Sequence, residues 1–314
     1  MQSINFEGQC VIVTGAGGGL GRAYALEIAR RGGAVVVNDL GGDVDGYEPG
    51  PEMSQAVAAE IVAAGGKAIA NHDTVNTREG SEAIAQAALS AFGRIDGLIN
   101  NAGILRNAWL QDLDDADRDA LMATHLLGAF NVTRAVWPTM MKQGYGRVLF
   151  TASAAGMFGN PMQSAYGAAK AGTVGLMNVL AQEGAPHGIL CNALLPTAQS
   201  RMGVKMDPSE FVAVMDNVGP YAASLLPEFV APTAVYLVSK ACTTTHDSYS
   251  VLGGRIARVF VGMTAGWLGP RDAPPSVDDV AAHMDEIRSL DAGIDVPSSL
   301  VDEMRILSEQ ITTR

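Results

Sequence analysis

Short runs of apolar residues alternate with longer amphipathic segments along most of the chain. The runs at residues 10–14 (CVIVT) and 34–38 (AVVVN) are apolar at nearly every position, which is typical of strands buried on both faces of a parallel sheet. The segments between the runs space their apolar residues as helices do, and Gly32 and Gly33 end the first one. The pattern predicts strands at 10–14, 34–38, 68–71, 97–100, 146–151 and 190–195, and helices at 21–31, 53–64, 78–92, 116–141 and 166–183.

Regular alternation of strands and helices predicts an α/β fold with a doubly wound parallel sheet of Rossmann type. Ligands of such a sheet bind at the carboxyl ends of the strands. We predict a single domain over residues 1–269 with a lid insertion at about 197–227, which carries Met202, Met206 and Met215. Residues 270–314 are polar and interrupted by prolines, and their two short amphipathic segments, at 277–290 and 297–311, predict a helical C-terminal extension.

The composition disfavours several classes of protein. The chain has 314 residues, 48% of them hydrophobic, and a formal net charge of -12, which would repel phosphate backbones and anionic lipid head groups. We therefore expect neither a nucleic-acid nor a membrane partner. The three cysteines have neither CxxC nor neighbouring histidine spacing, so we expect no disulfide framework, no metal site and a reducing, cytoplasmic location.

A glycine-rich turn, TGAGGGLG, spans residues 14–21 between the first predicted strand and helix. Glycines allow the backbone to turn tightly and to approach a pyrophosphate, whose charge is favoured by the free N–H groups of a helix N-terminus. A flexible turn without a ligand is the alternative interpretation. The predicted phosphate-binding residues are Gly15, Gly19, Leu20 and Gly21.

Asp39 ends the second predicted strand, about 20 residues beyond the glycines, where a carboxylate can accept hydrogen bonds from the adenosine ribose. The same carboxylate would repel the 2′-phosphate of NADP, so the predicted cofactor is NAD. Alternatively, Asp39 only begins the turn at Gly41 and Gly42.

Ser153, Tyr166 and Lys170 form a second group of candidate residues. On a helix, Lys170 lies one turn beyond Tyr166 on the same side, and its ammonium is expected to lower the pKa of the phenol. Ser153 follows a predicted strand and can bind the same substrate oxygen. Each residue alone is more often structural, but their order after the glycine turn predicts a catalytic set.

With these motifs the chain resembles the short-chain dehydrogenase/reductase family. The resemblance extends from about residue 6 to residue 269 and includes TGxxxGxG at 14–21, NNAG at 100–103 and the Ser153, Tyr166, Lys170 set. It is closer to the (3R)-hydroxyacyl-CoA dehydrogenase branch of the family, through stretches such as VVVNDLGGD, FGRIDGLINNAGILR and YGRVLFTASAAGMFGN. The polar tail is similar to an extension found in that branch.

The resemblance implies hydride transfer at nicotinamide C4. Tyr166 would exchange a proton with the substrate oxygen, Ser153 would orient that oxygen, and Lys170 would hold the nicotinamide ribose and tune Tyr166. The implied nucleotide contacts are Asp73 and Val75 beside the adenine, Asn101 and Gly103 along the cleft, and the segment from Pro196 to Gln199 over the nicotinamide.

The chain departs from the family pattern at two places. His125 stands where most members have an asparagine that helps a proton relay reach solvent, although the acyl-CoA branch also has histidine there. His125 has two interpretations, a catalytic group or a satisfied histidine within a helix. Pro196 and Thr197 replace a common Pro-Gly pair beside the nicotinamide.

The leading functional prediction is NAD-dependent oxidation of a 3-hydroxyacyl-CoA, which the methionine-bearing lid allows to be bulky or steroid-like. A dehydrogenase of a free secondary alcohol, such as a hydroxysteroid, is the enzymatic alternative, and a catalytically silent NAD-binding sensor or scaffold is the alternative from another class. The acidic charge fits a CoA partner poorly, and the candidate phosphate partners are Arg22, Arg106, Arg201 and Lys205.

Two predictions concern assembly. The helices at 116–141 and 166–183 carry small or apolar residues on several faces, and relatives pair these helices, which implies a homodimer or homotetramer. The chain has no hydratase-like segment after the tail, so we expect a standalone dehydrogenase that receives its substrate from a separate hydratase.

Overall fold

A computed structural model describes residues 3–42, 50–199 and 219–313. It divides into two compact units, Met1–Arg258 and Val259–Arg314. The first unit contains a sheet of eight strands in the order β3-β2-β1-β4-β5-β6-β7-β8, and the strands from β1 to β7 pair in parallel. The strands are β1 Cys10–Thr14, β2 Ala34–Asn38, β3 Lys67–Asn71, β4 Gly97–Asn100, β5 Gly146–Thr151, β6 Ile189–Thr197, β7 Asp247–Leu252 and β8 Arg255–Val259.

Helices cover both faces of this sheet, which confirms the predicted doubly wound α/β fold. Helices α1, α2 and α8 pack on one face, and α3, α5 and α7 pack on the other. The helices are α1 Gly19–Arg30, α2 Glu52–Ala63, α3 Arg78–Phe92, α4 Asp115–Met122, α5 Gly128–Gln143, α6 Ala154–Phe158, α7 Ser164–Gly184 and α8 Ala231–Leu237. Short 3₁₀ turns lie at Ala185–His187, Gly219–Ser224 and Pro227–Phe229.

The core explains why the central strands are apolar at each position. Side chains of β1, β2 and β4 are completely buried, and Phe6, Tyr24 and Ile28 fill the space between β1, β2 and α1. A strand covered by helices on both faces has no side that faces solvent, so polar and apolar residues do not alternate along it. Burial of each large side chain contributes about 1.5–3 kcal/mol to folding.

Several elements differ from the prediction. The helix expected at 116–141 contains a π-helical turn, Ala123–Leu127, between α4 and α5. Strand β6 continues beyond residue 195, because Pro196 and Thr197 stay in register with Val251 and Leu252 of β7. The sequence pattern did not predict α6, α8, β7 or β8.

The second unit corresponds to the predicted tail but begins before residue 270. Its strand β9, Met263–Thr264, pairs antiparallel with β10, Ile294–Asp295, which ties residues 259–269 to the tail. Helices α9 Val277–Ala282, α10 Met284–Arg288 and α11 Leu300–Thr313 complete this unit. The predicted segment at 277–290 is therefore two helices separated at His283.

Neither a membrane-spanning helix nor a metal-binding cluster occurs in the described ranges. No helix in them is long and apolar enough to cross a membrane. The same ranges hold no group of three or more His, Cys, Asp or Glu side chains placed to bind a metal ion.

Candidate active site and nucleotide cleft

The glycine turn after β1 requires glycine at particular positions. Gly15 and Gly19 have positive φ angles of 65° and 49°, which disfavour other residues. A Cβ atom on Gly15 would lie 2.7 Å from the Cα of Ala102, and one on Gly21 would overlap the carbonyl oxygen of Gly15. Helix α1 has no side-chain N-cap, so its first N–H groups are available to an anion.

A cleft of about 350 Å³ opens at the carboxyl ends of the strands, beside this turn. Most of the predicted cofactor residues share this one cavity, although Gly21 lies behind the turn instead of in the wall. Those that line it are Gly15, Gly19, Leu20, Asp39, Asp73, Val75, Asn101 and Gly103.

Asp39 both stabilises turns and faces the cleft, so the two interpretations of this residue are compatible. Its carboxylate accepts the backbone N–H of Gly17 at 2.7 Å and that of Gly41 at 2.8 Å. A carboxylate has about four acceptor positions, so these bonds hold Asp39 in place and leave acceptor capacity for ribose hydroxyls.

Asn101 lines the cleft but is also a structural brace. Its side-chain amide donates to the carbonyl oxygens of Thr14 (3.1 Å) and Gly15 (3.0 Å). The hydroxyl of Thr14 accepts the N–H groups of Asn101 (3.0 Å) and Ala102 (3.1 Å). The brace joins the ends of β1 and β4 and fixes the glycine turn.

A second hydrogen-bonded brace, between the ends of β2 and β3, was not predicted from the sequence. The buried amide of Asn38 donates to the Asn71 side chain at 2.7 Å and to the carbonyl oxygen of Asp73 at 2.9 Å, and the Asn71 amide donates to the Asp73 carboxylate at 2.7 Å. The available signal in the sequence was that β2 and β3 both end in asparagine. This brace holds Asp73 at the wall of the cleft.

Ser153, Tyr166 and Lys170 come together, as their spacing predicted. Ser153 caps α6 by accepting the N–H of Ala155 at 3.1 Å, and its side chain is near enough to the Tyr166 hydroxyl for a hydrogen bond that favours the phenolate. Tyr166 lies in the first turn of α7. The ammonium of Lys170, one turn later, is 5.7 Å from the centre of the Tyr166 ring and donates to the Thr151 carbonyl oxygen at 2.5 Å.

The electrostatics of this group differ from the prediction. The pKa of Tyr166 is raised, because burial disfavours the phenolate, and the Ser153 hydrogen bond lowers it only in part. Burial also lowers the pKa of Lys170 to about 7. The predicted lowering of the phenol pKa by Lys170 is therefore wrong, because the ammonium is directed at the Thr151 carbonyl oxygen.

His125 lies on the π-helical turn, 3% exposed, beside this group. Its ring meets Tyr166 edge-to-face, with the ring centres 5.0 Å apart and the planes at 89°. A small cavity of about 10 Å³, room for about one water molecule, lies next to it and is lined in part by His125, Thr151 and Lys170.

The remaining predicted residues are less well placed. Pro196 is half-buried in β6, and the N–H of Gln199 bonds to the Leu225 carbonyl; neither residue lines the 350 Å³ cleft. Most of the predicted lid, including Met202, Met206 and Met215, lies outside the described residues, as do Arg201 and Lys205. Arg22 pairs with Glu60 at 2.6 Å, and Arg106 with Asp117 at 2.7 Å.

The fold and these sites define a nucleotide-dependent oxidoreductase. The family model described as short chain dehydrogenase matches residues 9–208, and the chain belongs to that family. It is therefore an enzyme acting on CH–OH groups with a nicotinamide cofactor, and the alternative of a catalytically silent scaffold is withdrawn.

Two individual proteins of known sequence are similar to this chain over most of its length. The chain is 45% identical over 280 residues to a short-chain type dehydrogenase/reductase of Mycobacterium tuberculosis, covering 89% of this chain and 94% of that protein. It is 43% identical over 285 residues to the mouse peroxisomal multifunctional enzyme type 2, covering 90% of this chain but only 37% of the mouse protein.

Solved structures agree with this assignment. Full-length peroxisomal multifunctional enzyme type 2 of Drosophila melanogaster matches 99% of this chain and 50% of its own, with a TM-score of 0.79 and 28% identity. A 7α-hydroxysteroid dehydrogenase, solved with NADH and 7-oxo glycochenodeoxycholic acid, matches 80% of this chain and 95% of its own, with a TM-score of 0.71 and 26% identity.

Proposed function

We propose that the protein oxidises the secondary alcohol of a 3-hydroxyacyl-CoA with NAD. The observation that carries the proposal is the proximity of Ser153 and Tyr166, with Lys170 on the next helical turn, in a chain related to the peroxisomal multifunctional enzymes. The chain spans about a third to three fifths of several such relatives, so their complete activities are not transferred to it.

The choice of NAD over NADP depends on Asp39. Its fixed carboxylate faces the cleft where the adenosine ribose would lie, and a 2′-phosphate there would meet a like charge. Arg106, the predicted cation that lines the cleft, is already paired with Asp117, and Arg22 is paired with Glu60. The backbone of the glycine turn would hold the pyrophosphate.

The chain's own residues would handle the proton. Tyr166 would take the hydroxyl proton of the alcohol, and the Ser153 hydroxyl would hold the same oxygen as it becomes a carbonyl. When bound, the nicotinamide supplies the hydride acceptor and, in its oxidised form, a positive charge that favours the phenolate. Lys170 would change its hydrogen bonding from Thr151 toward the cofactor ribose.

The acyl-CoA part of the proposal is supported by relatives named hydratase-dehydrogenase-epimerase. The positive charges give it weaker support, because Arg22 and Arg106, the predicted partners of the CoA phosphates, already form ion pairs with Glu60 and Asp117. A hydroxysteroid is the second candidate substrate, since a fold neighbour was solved with a 7-oxo bile acid conjugate.

A homodimer or homotetramer is also proposed. The α5 and α7 surfaces expose large apolar side chains, namely Phe130, Met141 and Val179, together with Leu127 of the π turn. Exposed apolar patches of this kind mark interfaces. Light scattering that shows a monomer at micromolar concentration would contradict the assembly.

The substrate is tested by measuring NADH formation with 3-hydroxyacyl-CoAs of increasing chain length and with free hydroxysteroids. We expect turnover of the thioesters, and its loss in Tyr166→Phe with cofactor binding retained. Tyr236→Phe, at a 37% exposed tyrosine on α8, is the matched control. Turnover of free alcohols alone would refute the acyl-CoA proposal, and an active Tyr166→Phe would refute the mechanism.

A further inference from the structure

We infer that His125 is a positioning residue, whose imidazole ring is wedged between the Gly103–Ile104 backbone and Tyr166 and does not relay the proton. The inference concerns the reaction proposed above, whichever alcohol is the substrate. It rests on the contacts of each ring nitrogen, on the space around the ring and on the packing of Tyr166.

The first argument is the hydrogen bonding of Nε2. This atom lies 2.7 Å from the carbonyl oxygen of Ile104 and 3.3 Å from the Ile104 N–H. One ring nitrogen either donates or accepts, and the shorter contact is the stronger bond. The Nε2–H therefore donates to the carbonyl, which anchors the ring to the segment after β4 and leaves Nδ1 as the basic nitrogen.

The second argument is the position of Nδ1. It is buried and has no hydrogen-bond partner among the residues that the structure describes. A Cβ atom built on Gly103 would lie 3.1 Å from Nδ1 and 2.5 Å from the neighbouring Cε1. The basic nitrogen thus lies beside the backbone at Gly103 and makes no hydrogen bond to the Tyr166 hydroxyl.

The charge on the ring agrees with this assignment. Burial and the nearby Lys170 ammonium lower the pKa of His125 well below its ordinary value, and the Ile104 carbonyl offsets this only in part. The ionisable groups that α7 brings to the ring are Lys170 and Tyr166, while the segment after β4 contributes backbone. A ring that stays neutral packs without an uncompensated buried charge.

The third argument is steric coupling between Gly103 and Tyr166 through the ring. Gly103 has no positive φ, so its need for glycine comes from the 2.5 Å approach to His125. On its other side the ring meets Tyr166 edge-to-face, and Tyr166 also packs against the cluster of Ile104, Leu121 and Ala165. A displaced ring would shift the phenol relative to Ser153.

The test is a double-mutant cycle of Gly103→Ala and His125→Ala. Each variant is measured by thermal unfolding and by kcat and KM for the alcohol and for the cofactor. We expect Gly103→Ala to lower kcat about tenfold in the wild-type background and less than about twofold in the His125→Ala background, because the clash is then gone. Because Gly103 also lines the nucleotide cleft, any effect of Gly103→Ala on the cofactor KM should be the same in the wild-type and His125→Ala backgrounds, and only the effect on kcat should depend on the background. His187→Ala, in the 3₁₀ turn after α7, is the matched control and should behave as wild type.

The pH profile of kcat/KM separates positioning from proton relay. A positioning role predicts that His125→Ala keeps the number of ionisations and moves the Tyr166 limb to lower pH, because water entering the vacated space reduces the burial of the phenol. Disappearance of one ionisation, or additive effects of the two substitutions on kcat and unfolding, would overturn the inference. Turnover of a free alcohol instead of a thioester would refute the proposed substrate and leave this test intact.

Discussion

Lys170 should make the stability of the enzyme depend on pH near neutrality. In the folded protein its pKa is about 7, well below the 10.5 of an exposed lysine, because burial disfavours the ammonium. The folded state therefore releases a proton that the unfolded state keeps. By linkage, the free energy of unfolding rises with pH between about 7 and 10.5, and the penalty is complete below pH 7.

The magnitude follows from the two pKa values. Each pKa unit of difference between the folded and unfolded states corresponds to about 1.4 kcal/mol. Burial of Lys170 therefore lowers the free energy of unfolding by on the order of 5 kcal/mol at pH 6 and by about 2 kcal/mol at pH 9. Lys170→Met removes this penalty and loses the bond to Thr151, worth about 1 kcal/mol. The variant should be inactive but more stable than wild type, with an advantage that shrinks by about 3 kcal/mol from pH 6 to pH 9.

Urea unfolding of both proteins without cofactor, followed by circular dichroism at several pH values, measures this difference. The raised pKa values of Cys10 and Cys191 affect both proteins equally and cancel. Lys142→Met, at an exposed lysine in the last turn of α5, is the matched control and should follow the wild-type curve. Parallel wild-type and Lys170→Met curves would show that the buried ammonium carries no such cost.

Two further predictions concern the cofactor. Gly21→Ala should weaken NADH binding at least about tenfold in fluorescence titration, because its Cβ overlaps the Gly15 carbonyl; Gly175→Ala, at an open position on α7, should bind normally, and equal affinities would contradict the tight turn. Asp39→Asn should raise kcat/KM for NADP relative to NAD about tenfold or more, because it removes the like charge; an unchanged ratio would argue against NAD selection by Asp39.

The prediction from sequence was most reliable where burial is set by local pattern. The central strands were found because residues such as Val11, Ile12 and Val13 are apolar without alternation. Strand β7, DSYSVL, is buried at only two of six positions and has no apolar run, so periodicity gave no signal. The structure divides into its compact units after Arg258, and the β9 and β10 pairing within the second unit joins residues about 30 apart, a contact that local periodicity does not reveal.

Spacing along a single strand or helix was enough to predict the strands of the sheet, the glycine turn and the placement of Lys170 one helical turn beyond Tyr166. Only the tertiary structure decided that Asn101 braces the turn, that the Lys170 ammonium is directed at Thr151 and that His125 is wedged against Gly103. These features depend on which distant segments bury a side chain. Burial sets the pKa values of Tyr166 and Lys170, and residue spacing alone does not reveal it.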